Sequence, residues 1–115
     1  EMEARVWSDP AVLEKLKNDY VVVALYVDDK TTLPEEDWFV SEYDDKVKKT
    51  IGKQNADFQI ARFNNNAQPF YVLLDNNENM LMEPMAYNLD VTEFLQFLEN
   101  GKENFEEKLT VNQQE

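Results

Sequence analysis

Apolar positions divide the chain into short runs, and the longest run is residues 20–27, Tyr-Val-Val-Val-Ala-Leu-Tyr-Val. This run is rich in β-branched residues and continuous rather than alternating, which predicts a strand covered on both faces of a sheet. Residues 70–74 predict a second strand. Residues 80–82 predict a short strand that returns to it through the polar turn at residues 75–79.

Polar residues mark where the first helix begins and ends. Ser8 and Asp9 are residues that cap helices, and Pro10 suits a first helical turn. Apolar residues then follow at helical spacing until Asn18, where the pattern stops. Residues 2–7 are predicted to be the tail of an earlier helix.

Two further helices are predicted. Residues 50–63 have a helical pattern that ends at Asn64, a residue type that tolerates left-handed backbone. Asp90 and Glu93 form a capping box that starts the last main helix. Gly101 is predicted to end that helix, as a glycine commonly does.

Length and composition favour a single domain over residues 1–115, with its core in residues 1–101 and a charged tail at 102–115. Residues 30–49 are polar and predict a long surface excursion. The aromatic residues Trp38, Phe39 and Tyr43 are expected to anchor it, and the alternative is a recognition patch.

Charge and residue usage exclude several function classes. The net charge of −13 argues against a nucleic-acid partner. The chain has no cysteine and no histidine, which excludes disulfides, thiol catalysis and zinc sites built from these residues. The longest apolar run is too short to cross a bilayer.

One turn is similar in sequence to a calcium loop. Asp75, Asn77 and Asn79 match its start, but such loops need Gly at the sixth place and an acid at the twelfth. Those places hold Met80 and Ala86, so a hairpin turn is predicted and no metal site is expected. The acidic pairs elsewhere are interpreted as solvated loops.

Two segments carry a family resemblance: Ser-Asp-Pro-Ala-Val at residues 8–12, and Ala-Gln-Pro-Phe-Tyr-Val-Leu-Leu-Asp at residues 67–75. Together with the helix at 50–63 and the capped helix at 90–98, they resemble the C-terminal periplasmic domain of the DsbD family of bacterial thiol:disulfide interchange proteins. The resemblance implies an α/β, thioredoxin-like fold with three α/β/α layers. It also implies that the fold is N-terminally truncated, lacking the strand and the dithiol turn ahead of the first helix.

The resemblance also implies a site. A substrate-facing cis-proline loop would comprise Ala67, Gln68, Pro69 and Phe70, although the sequence alone leaves the isomer of the Gln68–Pro69 bond open. Glu1 and Met2 would flank the missing dithiol, whose second cysteine would lie roughly two residues before Glu1. No catalytic residue, metal or cofactor is expected within the chain itself.

The function implied by the family is protein-disulfide reduction at the periplasmic side of the bacterial inner membrane. The partners would be other domains of the parent membrane protein and periplasmic thiol proteins. The chain as given is expected to be redox-inert, because it has no cysteine. The alternative is a cysteine-free thioredoxin-like module that binds proteins without catalysis. Unpaired strand edges would favour a homodimer.

Overall fold

The computed structural model describes residues 2–114, with side chains described as far as Leu109. The chain forms two compact units. The first contains the chain up to Val22 together with the chain from Gln68 onward, and the second contains Val23–Ala67. Helices predominate, and the sheet in the described part of the chain has two strands.

The first unit begins with a π-helical turn, Glu3–Trp7, followed by helix α1, Pro10–Asp19. The Asp9 carboxylate accepts hydrogen bonds from the backbone N–H groups of Ala11 (3.0 Å) and Val12 (3.4 Å). The predicted start of this helix is therefore confirmed, and the residues before Ser8 are helical as expected.

Helix α3, Val91–Gln114, completes the first unit. The Glu93 N–H donates to the Asp90 carboxylate at 3.0 Å, which confirms the predicted cap. The predicted end at Gly101 is wrong. A Cβ at Gly101 would lie 2.3 Å from Leu73 Cδ1 and 2.8 Å from the Tyr20 hydroxyl, so this glycine permits a close approach within a continuous helix.

The hydrophobic core belongs to the first unit. It joins the π-helical turn, α1, α3 and the chain around Leu73. Its buried members are Met2, Val6, Val12, Leu16, Leu73, Leu81, Phe94, Phe97 and Leu98. Helix α3 contributes the most deeply buried aromatic and leucine side chains, Phe94 and Leu98, which are each only 1% exposed.

Residues 70–82 double back on themselves, as predicted, but without continuous strands. The Leu81 N–H donates to the Leu73 carbonyl at 2.9 Å, and isolated bridges join Leu74 to Met80 and Tyr71 to Met85. The turn between them carries Glu78 at a φ of 64°. The hairpin course is confirmed, while its two strands are reduced to single bridges.

The second unit contains helix α2, Ile51–Phe63, and a short antiparallel pair of strands, β1 at Phe39–Val40 and β2 at Val47–Lys48. The Thr50 hydroxyl caps α2 by accepting from the Lys53 N–H at 3.2 Å. Asn64 ends it with a φ of 52°, as its residue type predicted. A 3₁₀ turn at Glu35–Asp37 precedes β1.

The strongest predicted strand, residues 20–27, is not a strand. No residue of this run belongs to a β-ladder in the described part of the chain, and residues 21–26 are exposed. A strand needs a hydrogen-bonded neighbouring strand, and no other described segment pairs with this one. The predicted three-layer α/β/α thioredoxin-like fold is accordingly wrong for this chain, because it needs a central sheet.

Within the described residues, no helix has the length and apolar character needed to cross a membrane.

Candidate functional site

The predicted substrate-facing loop lies at residues 67–70, and its Gln68–Pro69 peptide bond is cis. In the second unit, the Ala67 carbonyl accepts from Gln59 Nε2 at 2.9 Å, and the Ala67 N–H donates to Asn65 Oδ1 at 2.6 Å. Both backbone groups of Ala67 therefore have partners already. In the first unit, Gln68 is exposed, whereas Pro69 and Phe70 are half-buried.

The start of the chain lies beside the residues that follow Pro69. The Trp7 and Tyr71 rings have centroids 6.0 Å apart, and the Tyr71 ring meets Phe94 edge-on at 5.2 Å. Burial raises the pKa of the Tyr71 hydroxyl, and the negative charge of Glu3 adds to this shift. Met2 is buried in the core, and Glu1 lies outside the described residues.

Residues 23–26 form an exposed apolar segment of the second unit, which we call the apolar edge. Val23 is 73% exposed, Leu25 52% and Tyr26 59%. The backbone of Val23, Ala24 and Leu25 makes no hydrogen bond to any other described residue. Within the described part of the chain, these three residues therefore have unpaired backbone donors and acceptors, with which another polypeptide can form main-chain hydrogen bonds.

The far end of the apolar edge is fixed against α2. The Tyr26 carbonyl accepts from Asn55 Nδ2 at 2.9 Å, and the Gly52 N–H donates to the Asp29 carbonyl at 2.9 Å. A Cβ on Gly52 would lie 2.5 Å from the Val27 carbonyl oxygen. The C-terminal end of the apolar edge is therefore held against α2 by hydrogen bonds. Gly52 permits this contact because it has no side chain between the α2 backbone and the backbone of Val27 and Asp29.

In the turn that is similar to a calcium loop, both oxygens of the Asp75 carboxylate have partners within the protein. Asp75 Oδ1 accepts from the N–H groups of Asn77 (2.8 Å) and Asn79 (2.9 Å), and Oδ2 pairs with Lys108 at 3.1 Å. The Asn79 hydrogen bond, with those of Lys108 and Asn77, lowers the pKa of Asp75 to about 2. Among the described residues, no group of three or more acidic side chains is placed to bind a metal.

Of the three aromatic residues expected to anchor residues 30–49, Trp38 is the anchor. Its Nε1–H donates to the Leu33 carbonyl at 2.8 Å, and Lys49 Nζ lies 5.0 Å from its ring centroid. Phe39 and Tyr43 are instead 40% and 64% exposed, so they leave an apolar surface on the β1–β2 pair.

A groove that sequence reasoning missed lies on the first unit, between residues 82–88 and one face of α3. It has a volume of about 520 Å³ and is open to solvent. Its lining residues include Met82 and Met85, the aromatic residues Tyr87 and Phe97, and the acidic residue Glu93. In the sequence, the closely spaced Met80, Met82 and Met85 are the feature that could indicate this groove. Met80 and Met82 fall in the strand predicted at residues 80–82.

The chain matches no protein-family model, and no curated protein matches it in sequence.

Proposed function

We propose that this chain takes part in thiol:disulfide interchange as the segment of such a protein that binds the partner polypeptide, with the sulfur chemistry supplied by residues other than these 115. The motif at residues 8–12 and the Gln-Pro motif at 68–69 support the assignment to the DsbD family. With no cysteine, the chain itself is redox-inert.

The observation that carries the binding role is the apolar edge, residues 23–26. The backbone of residues 23–25, which is unpaired within the described part of the chain, can form main-chain hydrogen bonds with an extended peptide. Such bonds recognise a peptide largely independently of its sequence. A protein that exchanges disulfides with several partners needs this kind of recognition around the partner's cysteine.

The partner segment is expected to be apolar and to carry Lys or Arg at one end. Asp28, which is exposed, and Asp29 follow the apolar edge directly, and the net charge of the chain is −13. A basic residue next to the paired segment would meet these carboxylates, whereas an acidic one would be repelled. The same reasoning disfavours pairing between two copies, because each copy carries the same charge.

The coding sequence upstream of Glu1 tests the redox assignment. We expect a Cys-x-x-Cys whose second cysteine lies roughly two residues before Glu1. The protein with that segment should reduce insulin disulfides, and the 115-residue chain should not. Absence of the motif would overturn the interchange role and leave a binding module without catalysis. Turnover by the 115-residue chain alone would contradict its inertness.

A matched pair of variants tests the binding role in the longer protein. Leu25 and Leu13 are each 52% exposed, but Leu25 is in the apolar edge and Leu13 is on α1. We expect Leu25→Gln to lower kcat/KM for a protein disulfide about tenfold, roughly 1.4 kcal/mol, while Leu13→Gln leaves it unchanged. Equal effects of the two substitutions would contradict the apolar edge as the binding segment.

A further inference from the structure

We propose that the groove beside α3 binds a soft monovalent cation, Cu(I) or Ag(I), through the thioether sulfurs of Met82 and Met85. Thioether ligands select soft metals such as Cu(I) over Mg²⁺, Ca²⁺ or Zn²⁺. Both methionines line the same open groove, and both are half-buried. Both also pack against the hydrophobic core, so their side chains are ordered at a groove that an ion can enter from solution.

The backbone at or next to each of the two methionines is fixed by hydrogen bonds. Met85 exchanges two hydrogen bonds with Tyr71, at 2.7 and 3.0 Å. Next to Met82, the Leu81 N–H donates to the Leu73 carbonyl at 2.9 Å, and the Leu81 carbonyl accepts from Asn104 Nδ2 at 2.8 Å. The two methionines thus stand on a scaffold tied to the core, which limits the ordering that binding an ion requires.

The surroundings of the two thioethers favour a cation. Tyr87, Phe97 and Glu93 also line the groove, and aromatic rings and carboxylates both attract positive charge. The net charge of −13 raises the local concentration of cations around the protein. Asn88 donates a hydrogen bond to Glu93, which positions that carboxylate at the groove.

Competing soft ligands are absent from the sequence. It has no cysteine and no histidine, and its methionines number four. Met2 is 3% exposed in the core, whereas Met80 is 49% exposed and does not line the groove. Met80 therefore provides a matched control: a methionine close in sequence that is more exposed than the two proposed ligands.

The test is a titration of the 115-residue chain, carrying ¹³C-methyl methionine, with silver nitrate in chloride-free buffer. Four methyl signals are expected, which single substitutions to Leu assign. We expect the Met82 and Met85 signals to shift together and saturate at one equivalent of Ag(I), while the Met2 and Met80 signals stay in place. The titration is made on the wild-type protein, and the substituted proteins serve only to assign its signals.

Variants give the second readout. Met82→Leu and Met85→Leu should each weaken Ag(I) binding at least tenfold, and Met80→Leu should leave it unchanged. A Met80 signal that shifts at the same midpoint as the other two would overturn the site, since exposure rather than the groove would then govern binding. An absence of saturable shifts would overturn it as well. The site is expected in the isolated chain whether or not the protein takes part in disulfide exchange.

Discussion

The Tyr20 hydroxyl donates a hydrogen bond to the carbonyl oxygen of Leu98, which lies in the interior of α3. The bond ties the end of α1 to a residue 78 positions further along the chain. Lys102 of α3 also reaches back to Asp19, at 3.3 Å. Two polar contacts therefore join the C-terminal end of α1 to α3, next to the start of the apolar run 20–27.

Removing the Tyr20 hydroxyl should destabilise the first unit. We expect Tyr20→Phe to lower the free energy of unfolding by about 1 kcal/mol, the usual net worth of one hydrogen bond, because the ring and its packing are kept. Urea denaturation followed by circular dichroism measures the change. An unchanged unfolding midpoint would contradict a stabilising role for this bond.

The same hydroxyl should make stability depend on alkaline pH. Burial, with a contribution from the Asp19 charge, raises the pKa of Tyr20 from 10.0 to about 12. The unfolded chain therefore loses this proton first, so its contribution is fully present below pH 10 and declines between pH 10 and about 12. Over that interval, wild type should lose more stability than Tyr20→Phe. Parallel pH profiles for the two proteins would contradict the assignment.

The two glycines should differ in their tolerance of alanine. A Cβ at Gly52 would meet backbone atoms of Val27 and Asp29 at 2.5 to 2.8 Å, whereas at Gly101 it would meet the side-chain ends of Leu73 and Tyr20. Backbone cannot rotate away, so we expect Gly52→Ala to cost about 3 kcal/mol and Gly101→Ala about 1 kcal/mol, since helix propensity offsets part of the latter. Chemical denaturation of both variants measures the order, and the reverse order would contradict this packing.

Protonation of Asp75 at low pH should destabilise the folded protein. Its pKa of about 2 in the folded protein lies below the ordinary value of 3.8, because the Asn79 N–H, Lys108 and the Asn77 N–H stabilise the carboxylate. Its contribution to stability is therefore present above pH 3.8 and is lost as the pH falls through about 2. Asp75→Asn should remove this part of the acid dependence, which thermal melts between pH 2 and 5 would detect. An acid dependence that is unchanged in Asp75→Asn would contradict this role of the carboxylate.

The apolar edge should contribute little to folding despite its composition. Val23 is 73% exposed, whereas Val12 is fully buried on α1. We expect Val23→Ala to change the free energy of unfolding by less than about 0.5 kcal/mol and Val12→Ala to lower it by about 2 kcal/mol. Similar losses for the two substitutions would show that residues 23–26 are packed in solution.

Local signals in the sequence predicted the helices well. Asp9, Thr50 and Asp90 each cap a helix through a side chain that accepts from a backbone N–H within three residues, so the information lies in adjacent positions. The left-handed backbone at Asn64 is equally local. The predicted helix end at Gly101 was wrong because this glycine makes room for the side chains of Leu73 and Tyr20. No local sequence pattern indicates that contact.

Strands and the site were harder to predict for the same reason. The β-branched residues at 20–27 favour an extended backbone. A β-ladder also needs a second strand to pair with, and the composition of the run does not specify one. The loop at residues 67–70 was predictable from its Gln-Pro motif, and the Gln68–Pro69 bond in that motif is cis. The methionine groove arises from α3 packing beside residues 82–88, which are separate in the sequence.

Each compact unit contains one of the two tryptophans, Trp7 in the first and Trp38 in the second. The Trp7 indole nitrogen is buried without a hydrogen-bond acceptor among the described residues, whereas Trp38 is hydrogen-bonded and faces the Lys49 ammonium. Because their surroundings differ, the two indoles are expected to differ in fluorescence emission. Trp7→Phe and Trp38→Phe would leave one reporter each, so whether the halves melt as one cooperative block or independently can be followed without a dye.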